Sequence, residues 1–541
     1  MNLKDKIFMY AIQNATSYNG KANPKAVIGK VFSENPKTDK KALFKQINEI
    51  VSKVNSMSLE EQQVHLQDLP VYEKPIIEKK LPDLKNPKKV IMRFAPNPNG
   101  AMSLGHSRVA ILNSIYTKNY KGKFILRIDD TDPKVKVPLK EAYKWFEEDL
   151  KWLNIKPSKI IKQSERFPIY YRYAKKLIQM DKTYVCTCSV LKKRKSLWNK
   201  ESCPCRELSI KETAKRFEEM FTKYREGEAV LRIKTDLENK DPALRDWPAF
   251  RIVNKSQHPL DKKTKVWPLL NFASAIDDHE LKITHILRGI DLLGSEERQK
   301  FIYKYFNWKY PETIYHGKLL IKGIKSTSEI AKLIKEKKLT GWDDPKLTSI
   351  KTLRKKGIKA QAIINFMEDI GITRNDINVS LDALFALNKE IIDKEANRYF
   401  SILEPKKIKI KNAPSLTTEL DLHPDFKRGK RKFTTSNEFY IQDKLNKKQH
   451  YRLIGLFNFQ NQEFTSKELE SDLEAQLIHW LPVQKDLIKI ELIYPDQTVK
   501  GLVEKSIKKQ KPDDIVQLVR IGFARIDEIT KDKITLYFTH K

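Results

Sequence analysis

The sequence predicts a multidomain α/β protein in which a parallel βαβ sheet is followed by helices and then by β-barrels. Three observations lead there. A short apolar run, "VIMRF", an amphipathic run, "RVAILNSIYTKNY", and a second apolar run, "GKFILRIDD", succeed one another as strand, helix and strand. Apolar residues recur at helical spacing before and after that unit, and from about residue 396 the pattern changes to short alternating runs. At 541 residues the chain is long enough to build several cores.

Residues 1–75 read as a helical appendage, because apolar positions recur three and four apart through "DKIFMYAIQNA" and "KKALFKQINEIVSKVNSM". A Pro- and Lys-rich linker, "LPDLKNPKK", separates it from the first strand. Residues 88–180 hold the first half of the sheet domain, with Gly122 at the end of its first helix. The segment 181–265 is an insertion that carries the cysteines, and 266–335 returns to the sheet through "ITHILRGID" and "ETIYHGKLLIKG". Residues 336–395 form a helical connector, clearest in "IKTLRKKGIKAQAIINFMEDIG". The runs "KIKIKN", "EFYIQD", "IKIELIY" and "KITLYF" place the β-barrels in 396–541.

Lys and Arg total 104 against 69 Asp and Glu, so the net charge is +35, spread along the whole chain. An excess of that size suits a large polyanion as partner. No run approaches the roughly 18 apolar residues of a membrane span, and the N-terminus carries no cleavage signal, so a cytoplasmic protein without a membrane partner is expected. Four cysteines in this length exclude a disulfide framework. They stand as Cys186-Thr-Cys188 and Cys203-Pro-Cys205, two hooks separated by 14 residues. Zn²⁺ prefers a tetrahedron of such soft ligands, and four of them leave no open position, so the metal would be structural. Free buried thiols are the other use of the same pattern.

In "APNPNGAMSLGH" two prolines and Gly100 fix an irregular loop that ends at a helix N-terminus. Such an end presents free N–H groups and a partial positive charge to a phosphate. Gly105 has no Cβ to keep a flat base or ribose from the backbone. His106 can donate to phosphate oxygens whose charge grows as a bond to phosphorus breaks.

That loop, with "LRIDDTDP", "CTC…CPC", "LRIKTD", "NFASAIDDHELKITHILRGID", "GWDDPKL", "HPDFKRGKR", "NEFYIQD" and "VRIGFARID" in the same order, resembles the class I aminoacyl-tRNA synthetases, specifically the archaeal-type glutamyl-tRNA synthetases. The likeness covers nearly the whole chain. It implies a Rossmann-type catalytic domain, a zinc-bearing insertion near the tRNA acceptor end, a helical connector and a β-barrel anticodon-binding region. It implies an aminoacyl-tRNA ligase that activates glutamate with ATP, accompanied by Mg²⁺, and passes it to the 3′ end of tRNA(Glu), with tRNA(Gln) left open. Arg93 and Arg288 match carboxylate-binding arginines, the first assigned to the substrate side chain and the second to its α-carboxylate. A planar guanidinium suits that work because its fork pairs with both oxygens. Asp129 matches the acidic residue facing the α-ammonium, and Ala95 and Asn97 stand at substrate-binding positions of the loop. Where the family usually has a tyrosine, this chain has Leu270, with Ser274 a nearby polar position.

Two departures touch the nucleotide site. Ser103 replaces the first histidine of the loop signature. The second signature, Lys-Met-Ser-Lys-Ser in the family, is here Ile324-Lys325-Ser326-Thr327-Ser328, so Thr327 falls where the lysine that neutralises pyrophosphate would be. Lys322 and Lys325 are close in sequence and are expected to replace that charge. Ser326 with Glu329 also reads as a helix capping box. The reading is of a working site with Ser103 a tolerated variant. The rivals are an inactive synthetase paralogue that binds tRNA and a glutaminyl enzyme.

Overall fold

A computed structural model describes residues 3–17, 20–24, 26–28, 31, 40–67, 81–321, 326–468 and 474–541. The chain divides into two compact units, Met1–Glu78 and Lys79–Lys541. In the first, the helices Leu3–Ser17, Lys40–Asn55 and Leu59–Gln67 enclose a small core. Leu43, Ile47, Val51 and Val54 recur at helical spacing and are all buried. Buried Gln62 ties the third helix to the others by donating to the carbonyls of Gly20 and Val54 at 3.0 and 2.9 Å.

The second unit starts with three parallel strands, β1 (Ile91–Phe94), β2 (Lys123–Ile128) and β3 (Lys159–Lys162), linked by the helices Leu104–Asn119 and Lys140–Trp152. A Cβ on Gly122 would stand 2.4 Å from the Val90 carbonyl, so only glycine lets the chain turn from helix to β2 there. An antiparallel sheet follows, built of β4 (Thr183–Cys186), β5 (Val230–Ile233), β6 (Pro248–Ile252) and β7 (Val266–Pro268). After the helix Leu270–Glu280 the chain returns to parallel pairing with β8 (His285–Gly289) and β9 (Glu312–His316). The Thr284 N–H donates to the Ile91 carbonyl at 2.9 Å, which sets β8 beside β1 and gives the spatial order 3-2-1-8-9. Phe94, Leu126, Phe146 and Ile350 fill one face, and Ile91, Ile125, Ile161 and Ile286 the other.

Three readings are corrected. "ETIYHGKLLIKG" is two strands: β9 stays with β8, and past Gly317, where Asn375 passes too closely for any side chain, β10 (Leu319–Ile321) pairs with β11 (Ile377–Val379) in a separate sheet. "IKTLRKKGIKAQ" is two helices, Ile350–Lys355 and Ala360–Ile370, broken at Gly357, whose φ of +87° no helix accommodates. The expected barrels reduce to one that is nearly closed. Its seven strands run in the order Asn397–Tyr399, Ile515–Leu518, Gly522–Ile529, Lys533–His540, Ile488–Ile493, Thr498–Val503, Ser401–Leu403. The first and last are successive halves of one extended segment, which cannot pair with itself and instead bridges the seam by pairing with one edge and then the other. The remaining C-terminal strands form sheets of two to four around Trp480.

Candidate active site and cysteine centre

Ser103 is the N-cap of the helix Leu104–Asn119, and its Oγ accepts from the His106 N–H at 3.2 Å. A Cβ on Gly105 would meet only that oxygen, at 3.8 Å, so the face of the residue is open. Burial, assisted by the charge of Lys136, lowers the His106 pKa, and the ring is neutral at pH 7. Its Nδ1 is buried without a partner among the described residues. Ser326 caps the helix Thr327–Lys335 by accepting from the Glu329 N–H at 3.2 Å, as the capping box predicts. Ser103, His106, Ser326, Thr327, Trp342 and Lys346 line one cavity of about 210 Å³. A Cβ on Gly100 would lie 2.5 Å from the Trp342 ring and 2.6 Å from the Thr327 methyl, so glycine is what lets these walls meet. The fold thus brings both nucleotide signatures to one place. Lys322 and Lys325 lie outside the described residues.

β1, β2 and the helix Leu270–Glu280 converge on a buried charge cluster. Arg93, at the end of β1, gives its fork to Asp278, Nε to Oδ1 at 3.1 Å and Nη2 to Oδ2 at 3.3 Å. Arg127 on β2 pairs in the same way with Asp129, at 2.7 and 3.1 Å, and reaches Asp278 through Nη1 at 2.6 Å. Ser274 joins them, accepting from Arg127 at 3.2 Å and donating to Asp129 at 3.3 Å. All five side chains are buried, where charges persist only if paired.

The two carboxylates differ. Burial raises the Asp278 pKa, but Arg93 and Arg127 outweigh it and hold the group below the usual range. At Asp129 burial wins over Arg127 and the pKa is raised; it holds one arginine, shared with Asp278, where Asp278 holds two. Asn97 stands next to it, donating to the Asp129 carbonyl at 3.1 Å, while its own Oδ1 is buried without a partner among the described residues. Arg288 on β8 has mostly neutral partners: Gln299 at 2.8 Å, the Tyr310 hydroxyl at 3.4 Å, and the Glu296 carboxylate only at 3.6 Å. Leu270 opens its helix at the surface, 49% exposed, and Ser274 lies one turn further in at 3%. Ala95 is half-buried just after β1.

Sequence reasoning missed Arg127 and Asp278. The signal was there, an arginine inside the apolar run "FILRI" and a double aspartate in "SAIDDHE", both of which a buried element carries only for a partner.

The four cysteines meet at the end of β4 and the turn Pro204–Glu207, all four sulfurs within 4.8 Å of one another. Cys186 and Cys203 are 4.0 Å apart and Cys188 and Cys205 3.8 Å. A tetrahedron with metal–sulfur bonds of about 2.3 Å has edges of about 3.8 Å, so the set fits one Zn²⁺. Donors surround it: Lys193 reaches the Cys203 sulfur at 3.6 Å, and the Thr187 N–H and Arg216 reach that of Cys205 at 3.5 and 3.7 Å. Such donors offset the negative charge of four thiolates.

Comparison with known proteins gives the family. Residues 89–394 match the family model "tRNA synthetases class I (E and Q), catalytic domain", and residues 396–478 and 477–527 match two anti-codon binding domain models of the same group. The chain is 44% identical to the glutamate–tRNA ligase of Thermococcus kodakarensis over 572 residues and 45% identical to that of Pyrococcus furiosus over 576, covering all of both chains in each case. It is 42% identical to that of Methanosarcina mazei over 565 residues, 98% of each chain. With the signature loop, the buried charge cluster and full-length identity in agreement, the chain belongs to the class I tRNA synthetases of the E and Q type, in the group of the archaeal glutamate–tRNA ligases.

Proposed function

We propose that this protein is a glutamate–tRNA ligase: it joins glutamate to AMP at the expense of ATP and then passes the glutamyl group to the 3′ end of tRNA(Glu). The carrying observation is the charge cluster, in which the buried carboxylate of Asp129 has only Arg127 and shares it with Asp278, which also holds Arg93. An amino acid with one ammonium and two carboxylates meets that polarity. Asp129, with the free Oδ1 of Asn97, holds the α-ammonium. Arg288, whose neutral partners leave its charge available, holds the α-carboxylate. Arg93 has spent Nε and Nη2 on Asp278, so it turns only Nη1 to the side-chain carboxylate. Leu270 supplies no hydroxyl at the rim, and selection against glutamine then rests on the charge of Arg93 and on Ser274. His106 and the open face of Gly105 receive the nucleotide.

Mg²⁺ accompanies ATP as its phosphate complex. The polar lining of the cavity is hydroxyls, His106 and Lys346, with no carboxylate among the described residues, which leaves the ion to phosphate oxygens and water. The cysteine tetrad holds a structural Zn²⁺ in the insertion that approaches the acceptor end of tRNA.

Glutamate-dependent exchange of pyrophosphate into ATP, with tRNA present, tests the reading. Activity is expected with glutamate and not with glutamine, and Arg288→Ala should lower it by on the order of a hundredfold through loss of a charged hydrogen bond. No exchange with either amino acid would favour the tRNA-binding paralogue. Charging of tRNA(Gln) transcripts is measured in parallel.

A further inference from the structure

The nucleotide cavity lacks a cation at Thr327, yet a different element contributes one. Lys346, in "GWDDPKL", lines the same cavity as His106 and Thr327. Its ammonium has no ion-pair partner among the described residues, because the neighbouring acids are engaged elsewhere. Asp343 pairs with Lys355 at 2.9 Å. Asp344 accepts from the Thr340 N–H and hydroxyl at 2.8 and 3.0 Å, and from the backbone N–H of Lys346 at 2.9 Å. That last bond fixes the backbone of Lys346 and leaves its side chain exposed. The segment is also tied to the signature loop: the Ile350 N–H donates to the Met102 carbonyl at 2.8 Å, and Ser349 bridges Ser103. The position of Lys346 relative to His106 is therefore set by the scaffold.

We propose that Lys346 binds the β- and γ-phosphates of ATP and neutralises the departing pyrophosphate, the task that Thr327 lacks the charge to perform; this rests on the ligase reading above. In the activation step a carboxylate oxygen of glutamate forms a bond to the α-phosphorus. The bond from that phosphorus to the bridging oxygen breaks, and its electron pair leaves with pyrophosphate. No proton or electron is exchanged with the protein, so what the protein supplies is positive charge where negative charge accumulates. A lysine ammonium is a compact charge suited to that role.

The test is tRNA- and glutamate-dependent pyrophosphate exchange by wild type, Lys346→Ala, Lys346→Arg, Thr327→Lys and the double variant Lys346→Ala with Thr327→Lys, with folding checked by circular dichroism. Lys346→Ala should lower the rate at saturating ATP at least tenfold and raise the KM for pyrophosphate. Lys346→Arg should recover most of both, and Thr327→Lys should raise the rate far more in the Lys346→Ala background than in wild type. A Lys346→Ala enzyme within twofold of wild type, a raised KM for ATP with the pyrophosphate KM unmoved, or an equal effect of Thr327→Lys in both backgrounds would overturn the assignment. Inactive wild type would instead overturn the ligase reading and this role with it.

Discussion

Asp278→Asn is the most informative single change in the charge cluster. It keeps the shape of the side chain and removes the negative charge that faces both Arg93 and Arg127. Breaking a buried pair by deleting one partner costs about 3–5 kcal/mol. Arg127 retains Asp129 at 2.7 Å, so most of the loss falls on Arg93 and the lower end applies, about 3 kcal/mol. At about 1 °C per kcal/mol for the unit Lys79–Lys541, the melting transition should fall by about 3 °C. The assay is a thermal melt by circular dichroism at pH 7, repeated toward low pH. Because the Asp278 pKa is depressed in the folded protein, its contribution is present above the unfolded value near 4 and is lost as pH falls through the folded one. Wild type and variant should therefore converge in acid. Asp129→Asn supplies the contrast, since burial already disfavours its charge: it should cost less stability and raise the KM for glutamate more. An Asp278→Asn protein that melts within about 1 °C of wild type, or an Asp129→Asn protein that is the less stable of the two, would refute the reasoning.

Freshly purified protein should carry about one zinc per chain by metal analysis, and Cys203→Ser should lower that content and impair use of tRNA more than binding of ATP. His106→Ala should abolish most activity, whereas Ser103→Ala should cost about tenfold or less and Ser103→His should change the rate only modestly in the same exchange assay. Burial pushes the Asp149 pKa up to about 7, against the opposing charges of Lys351 and Arg354. The folded state therefore keeps a proton that the unfolded chain releases near pH 4, and this group lowers stability as pH rises from about 4 to 7, by at most about 1.4 kcal/mol per pH unit. Asp149→Asn should flatten that part of the stability profile, and parallel wild-type and variant curves would count against it.

Helices, strands and the signature loop were legible because each rests on local spacing. "RVAILNSIYTKNY" forms its helix and "KFILRI" its strand because a pattern of apolar positions can be satisfied by only one regular conformation once a face must be buried. The break at Gly317 was not legible, since it depends on where Asn375 passes, and the two helices part at Gly357 through its φ of +87°. The seam of the barrel was equally hidden, because alternation marks a strand without naming its neighbours.

By itself the sequence proposed the residues of the chemistry: Arg93, Asp129 and Arg288 through the family resemblance, and Gly105, His106 and the four cysteines through what their atoms allow. Only the tertiary structure decided how those charges are divided. It gave the fork of Arg93 to Asp278, made Asp129 share Arg127 with Asp278, and set Lys346 in the lining of the same cavity as His106. The reason is that a carboxylate or guanidinium acts through whatever charges lie within a few ångströms in a medium that screens them poorly, and sequence separation says nothing of that distance.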